Sequence, residues 1–230
     1  MINDGPNWPN RYGTMRGMMN IVILISGRGS NMQAVLDAAD TQKWPVKIAA
    51  VISNKADAQG LEVASARGIL TAVVDSKSYA TRAEFDTVLQ EVIDRHAPDL
   101  VVLAGFLRIL TAPLVHHYAG RMLNIHPSLL PSFPGLATHR QALAAGVKLH
   151  GATVHFVTAD LDHGPIVAQA SVPVLDTDTE ETLALRVLEQ EHLLYPRAIG
   201  WFIDGRLRIE NGRVNVLGDL PNIEIIERKE

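Results

Sequence analysis

The chain has 230 residues, 47% hydrophobic and 20% charged, the balance of an ordinary globular protein long enough to bury a core. A formal net charge of −4 argues against nucleic acid as the main partner, since such domains usually carry a basic face. With no cysteine, disulfides and thiolate metal sites are excluded, and no apolar run reaches the roughly 18 residues of a membrane-spanning helix. The absence of cysteine fits the cytoplasm, and no membrane partner is expected.

Residues 1–18 hold Pro6, Pro9, three asparagines and three glycines, with no apolar stretch of the signal-peptide kind. An extension without fixed structure is expected there, with Met19 as the natural start. Ile21 to Ile25 is a continuous, β-branched apolar run, a strand buried on both faces. Ser26-Gly27-Arg28-Gly29-Ser30-Asn31 follows and opens a helix whose apolar positions are Met32, Val35, Leu36 and Ala39. Strands are predicted at Lys47–Ile52, Thr71–Val74, Leu100–Ala104 and Met122–Ile125. Helices are predicted between them, at Ala58–Ala66, Thr81–His96 (Phe85, Val88, Leu89 and Val92 on one face) and Ala112–His117. Strands alternating with helices mean an α/β protein with an open, mostly parallel twisted sheet and helices on both faces.

After Gly135 the pattern changes. A short helix is expected at His139–Ala145, then strands at His150–Val157 and Ile166–Val174 that need not be parallel to the others. A long helix runs from Thr179 to about Ile203, with Asp178 and Glu181 in a capping-box pattern. The tail beyond Gly205 carries weak strand signals. No repeat or low-complexity linker divides the chain, so residues 19–230 read as one domain. Two lobes, about 19–120 and 121–205, and a tail at 206–230 are expected within it.

Asn124-Ile125-His126-Pro127 places an amide and an imidazole where an apolar strand runs out into a proline-rich loop. Two residues apart on a strand, Asn124 and His126 face the same side. An amide can stabilise an oxyanion, and imidazole exchanges protons near neutral pH. A carboxylate nearby would hold the ring and favour its charged form. Asp162, in the turn Asp160-Leu161-Asp162-His163-Gly164, is the candidate, although such sequences are more often simple turns. Gly29, Ser30 and Asn31 open a helix after a strand, which suits a phosphate, or they form only a tight turn with its cap. The loop is neither a Walker loop nor the full dinucleotide fingerprint. Glu191 lies on the apolar stripe of the long helix, where it either meets a ligand hydroxyl or pairs with an internal arginine. The nine histidines show no zinc-type spacing with acids, so no metal is expected.

Six stretches in order, Ile21–Asn31, Ser53–Ala58, Val101–Leu110, Leu123–Pro131, His150–Asp162 and Gln190–His192, resemble the folate-dependent formyltransferases. The likeness is strongest to those of purine biosynthesis that formylate glycinamide ribonucleotide, and it implies their Rossmann-like fold. It implies 10-formyltetrahydrofolate as co-substrate, with Asn124, His126 and Asp162 as the catalytic trio. Gly29, Ser30 and Asn31 would hold the ribonucleotide phosphate, and Glu191 the ribose hydroxyls. The backbone of Leu107, Arg108, Ile109 and Leu110 would clamp the pterin, and Arg82 would reach the cofactor. The loop of Val157, Thr158, Ala159, Asp160 and Leu161 would close over it. The resemblance makes the first lobe nucleotide-binding and the second catalytic. The chain departs from that pattern at Leu188, where relatives often carry a polar residue one turn before Glu191.

Three other functions compete. A formyltetrahydrofolate hydrolase would use the same trio with water as acceptor, and usually carries an N-terminal regulatory domain for which this chain has no room. A methionyl-tRNA formyltransferase would need a C-terminal nucleic-acid-binding domain, where only about 25 residues follow Gly205. A non-catalytic nucleotide-binding module would not need the trio. The expected assembly is a monomer or a homodimer.

Overall fold

The computed structural model describes residues 17–218 and the backbone of 223–225. The N-terminal extension expected at residues 1–18 therefore lies, but for its last two residues, outside the described ones. The fold divides into two compact units, one running to Asn124 and including Val157–Ala159, the other comprising Ile125–Phe156 and the chain from Asp160 onward.

In the first unit five strands are all parallel: β1 (Met19–Ile25), β2 (Val46–Ser53), β3 (Thr71–Val73), β4 (Leu100–Leu103) and the start of β5 (Met122–His126). Their spatial order is β5-β4-β1-β2-β3. The connections pass through α1 (Ser30–Thr41), α2 (Gln59–Ala66), α3 (Arg82–Asp94) and α4 (Ala112–His117). The strand order reverses direction between β1 and β4, and open α/β sheets bind ligands outside the carboxyl ends of strands at such a point. Ile21 to Ile25 are fully buried, as their uninterrupted apolar run requires. Phe85, Leu89 and Ile93 of α3 pack with Val22, Leu24, Val101 and Leu103 in one core cluster. A capping box between Thr81 and Glu84 starts α3. It ends at Asp94, shorter than expected, because Ala97 turns to φ +43° just ahead of Pro98, which disfavours a helical residue before it.

In the second unit β6 (Leu149–Phe156) and β7 (Ile166–Pro173) are antiparallel, the departure from parallel order expected for the later strands. The backbone of β10 (Ile223–Ile225) pairs parallel to β7, and β8 (Leu207–Glu210) and β9 (Arg213–Val216) form a separate hairpin. α5 (Thr138–Ala145) ends on Gly146 at φ +67°.

The 24-residue α6 (Glu180–Ile203) passes through Pro196 without ending, although proline removes one helical hydrogen bond. The burial of Leu194, Tyr195, Ala198 and Ile199 around it outweighs that loss. The capping box of α6 lies elsewhere than the sequence suggests. Thr179 caps the helix reciprocally with Thr182, while Asp178 turns to Arg186. A guanidinium two turns along offers Asp178 two charge-assisted bonds, at 2.7 and 2.8 Å, which a backbone amide alone does not match.

Two stability predictions follow from these contacts. A Cβ at Gly151 of β6 would collide with the Ala170 carbonyl oxygen on β7, so Gly151→Ala should cost about 1–3 kcal/mol and lower the thermal midpoint. An unchanged midpoint would show that the two strands are farther apart. Asp178 is held well below the usual carboxylate range, first by its hydrogen bonds to Arg186, and its side chain is only 2% exposed. A depressed folded-state value means that the contribution is present above the unfolded value of about 3.9 and is lost as pH falls below it. Asp178→Asn should therefore destabilise the protein by on the order of 2 kcal/mol at pH 7, and the gap to the parent should close in denaturation curves taken towards pH 2.

Candidate active site

The carboxyl ends of β1 and β4 carry two loops of the first unit. After Ile25 the chain turns through Ser26 and Gly27 to Gly29, which stands at the head of α1 with φ +75°, a conformation glycine adopts without the Cβ penalty. No side chain caps α1, so its first turn keeps the amide donors and dipole that suit an anion. Ser30 is half-buried and Asn31 buried there. The start of α2 presses on the loop. Gly60 N–H donates to Gly27 O at 3.0 Å, and a Cβ at Gly60 would lie 2.6 Å from Ile25 Cδ1 and 3.2 Å from Gly29 Cα.

After β4, Gly105 takes φ +74° and the chain runs without helix or strand through Leu107, Arg108, Ile109 and Leu110. Leu107 and Ile109 present apolar side chains that are 63% and 50% exposed, while Leu110 is buried. Side chains hold this exposed loop by its backbone. Leu107 N–H donates to Ser26 Oγ at 2.8 Å, and Thr111 N–H donates to Asp86 Oδ2 at 2.5 Å. The Arg108 guanidinium lies over the Phe85 ring, 5.4 Å from its centroid, a cation–π geometry. Arg82 is exposed at the start of α3. Val157 N–H donates to Met122 O at 2.9 Å, and Ala159 beyond it is exposed. Asn124, the third residue of β5, is half-buried and aligned with Leu103 of β4.

In the second unit His126 ends β5 and is 5% exposed. Its Nδ1 stands 3.6 Å from Asp162 Oδ2, an ion-pair distance rather than a direct hydrogen bond. Its Nε2 is 3.0 Å from the Phe133 carbonyl oxygen. Both ring nitrogens thus face acceptor oxygens. Asp162 is fixed in turn: Gly135 N–H donates to Oδ2 at 2.8 Å, and the backbone of Asp162 is left-handed at φ +56°. On the other side of the carboxylate, Oδ1 is 3.9 Å from His155 Nε2. His155 Nδ1 meets the Phe156 carbonyl at 2.9 Å and so carries its hydrogen there, and burial pushes the His155 value down. His150 is lowered to about 4, mainly by burial and then by His139 and His126, and it is neutral at pH 7. Asp160 and Leu161 are exposed on the turn before Asp162. Glu191 is buried on α6 among Val187, Leu194 and Tyr195.

The structure thus brings His126 and Asp162 together across 36 residues of sequence and puts Asn124 and His126 on one strand. It adds residues that sequence reasoning did not single out: Ser26 and Asp86, whose side chains hold the loop after β4, and His155 and the Phe133 carbonyl around the His126–Asp162 pair. Ser26 had a faint signal as the polar residue closing an apolar strand. Asp86 had one as a carboxylate next to the core residue Phe85. Among the described residues no group of three or more His, Asp or Glu side chains could hold a metal ion, and no helix is long and apolar enough to cross a membrane.

A family profile described as "Formyl transferase" matches residues 19–199. The chain is 56% identical over 191 residues to the phosphoribosylglycinamide formyltransferase of Escherichia coli, covering 83% of this chain and 90% of that protein. Its fold superposes on the glycinamide ribonucleotide transformylase 1 of Symbiobacterium toebii with a TM-score of 0.85 at 48% identity, over 91% of this chain and all of that one. A more distant solved neighbour is a formyltetrahydrofolate deformylase from Pseudomonas syringae, with a TM-score of 0.81 at 28% identity, over 87% of this chain and 66% of that one. A match that takes in both strand-end loops, β5 and most of α6 makes this chain a member of the formyl transferase family.

Proposed function

We propose that this chain transfers the formyl group of 10-formyltetrahydrofolate to the amino group of glycinamide ribonucleotide, a step of purine biosynthesis in the cytoplasm. The observation that carries this reading is the buried His126–Asp162 pair at the end of the strand that also bears Asn124, in a chain so similar to enzymes named for that reaction. Its partners under this reading are two small molecules, with no nucleic acid and no membrane.

The neutral amine of the ribonucleotide attacks the formyl carbon, and a C–N bond forms. The carbonyl oxygen becomes an oxyanion, which the Asn124 amide and the His126 imidazolium stabilise as donors. The intermediate collapses by breaking the bond to N10 of the folate. The attacking nitrogen loses a proton and N10 gains one, and His126, with a water ordered by Asp162, moves it. No covalent enzyme intermediate is needed, because holding both substrates together supplies much of the rate. Gly29, Ser30 and Asn31 hold the phosphate and Glu191 the ribose hydroxyls. The backbone of Leu107–Leu110 clamps the pterin, with Arg108 beside it and Arg82 reaching the cofactor. The Val157–Leu161 loop closes over the folate.

The deformylase neighbour favours one rival, water in place of the amine. Loss of the formyl group, followed by absorbance with and without glycinamide ribonucleotide, separates the two. Turnover should depend on the ribonucleotide, and equal turnover without it would make the protein a hydrolase. Asn124→Ala, His126→Ala and Asp162→Asn should each lower kcat about a hundredfold or more while ribonucleotide affinity changes little. A parental kcat in any one of them would remove that residue from the mechanism. Gly60→Ala, which pushes α2 against the Gly27–Gly29 loop, should raise the KM for the ribonucleotide severalfold and leave the folate KM near the parental value. A rise in the folate KM alone would mean that this loop does not hold the phosphate.

A further inference from the structure

The loop after β4 poses a physical problem. It must keep two large apolar side chains, Leu107 and Ile109, in solvent while its backbone stays shaped for a ligand. Phe106 and Leu110 tie its ends to the core cluster, but the irregular backbone between them opens easily unless something else fixes it. Buried polar groups from two other elements of the same unit do so. At one end, the Leu107 N–H donates to Ser26 Oγ, and the Ser26 hydroxyl donates to Asn54 Oδ1 at 2.5 Å. Ser26 and Asn54 are 4% and 3% exposed. Asn54 is itself oriented, since its Nδ2 donates to Ser76 Oγ at 3.5 Å and its carbonyl accepts from Ser76 N–H at 3.3 Å. The chain Ser76–Asn54–Ser26 therefore ends on one amide of the loop, with the Ser26 hydroxyl fully used as donor and acceptor. At the other end, Asp86 of α3, 3% exposed, accepts from Thr111 N–H. A buried carboxylate is expensive to keep, and its bond to a loop amide is charge-assisted.

We infer that Ser26, oriented by Asn54, and Asp86 are positioning residues for the formyl folate: they pin the Leu107–Leu110 backbone at its two ends in the shape that receives the pterin. This rests on the reading of that loop as the folate clamp. Neither residue touches the reacting atoms. Each acts by removing the freedom that the loop would otherwise lose on binding, so their effect falls on cofactor affinity rather than on the chemical step.

The test is a steady-state comparison of the purified full chain with Ser26→Ala, Asp86→Ala and Asp86→Asn. The KM for 10-formyltetrahydrofolate should rise about tenfold in the two alanine variants, the effect of one lost buried hydrogen bond. The KM for the ribonucleotide should stay within about twofold, and kcat should fall far less than the folate KM rises. Asp86→Asn keeps an acceptor oxygen for Thr111 N–H and should restore most of the folate affinity. A purely structural role would move both KM values and kcat together and would track the loss in thermal midpoint. That pattern overturns the inference, as does a parental folate KM in Asp86→Ala. If Ser26→Ala does not fold, the contrast between Asp86→Ala and Asp86→Asn decides alone. Absence of ribonucleotide-dependent transfer by the parent protein would instead overturn the proposed function, a separate outcome read before any variant is made.

Discussion

β1 lies between β2 and β4, and the connections that leave β1 and β4 lead away in opposite directions across the sheet. Two loops therefore leave neighbouring strand ends without a helix crossing between them. The arrangement depends on β1 being apolar on both faces, because a central parallel strand has no solvent side. Ile21–Ile25 meets that demand without exception, and the next polar residue comes at Ser26, where the strand has already ended. Sheet burial thus decides where polar chemistry can begin. The same holds at β5, whose apolar residues give way to Asn124 and His126 at its end.

Much of the fold is legible in the sequence for this reason. Continuous β-branched runs marked β1 and β4, and the alternation from His150 onward marked a strand of different character, which proves antiparallel to β7. Local competition was less legible. The spacing of Asp178 and Glu181 matched a capping box, yet Arg186 draws Asp178 away, and Thr179 with Thr182 makes the box. Pattern alone does not weigh a neutral cap against a charged pair two turns along.

The candidate residues divide along the same line. Asn124 and His126 could be read from a two-residue spacing, and Gly29 from its place between strand and helix. Asp162 gained meaning only from its partner, because nothing in an Asp-Leu-Asp-His-Gly turn separates a working carboxylate from a turn former. Ser26 and Asp86 act on amides 81 and 25 residues away, at a range where composition and periodicity carry no information. Glu191 is intermediate: its position on an apolar stripe announced burial, which the structure bears out, while spacing alone does not say what its carboxylate meets.

The left-handed backbone of Asp162 sets fold and chemistry against each other at a single residue. In that conformation glycine is the least strained choice and asparagine a tolerated one, whereas neither carries a charge. Random substitution selected only for thermal stability would drift at this site towards a residue that cannot face His126 as an anion. Under the proposed function, keeping aspartate there means accepting a slightly less stable turn so that the carboxylate stays aimed, and lineages relieved of the reaction should lose it early.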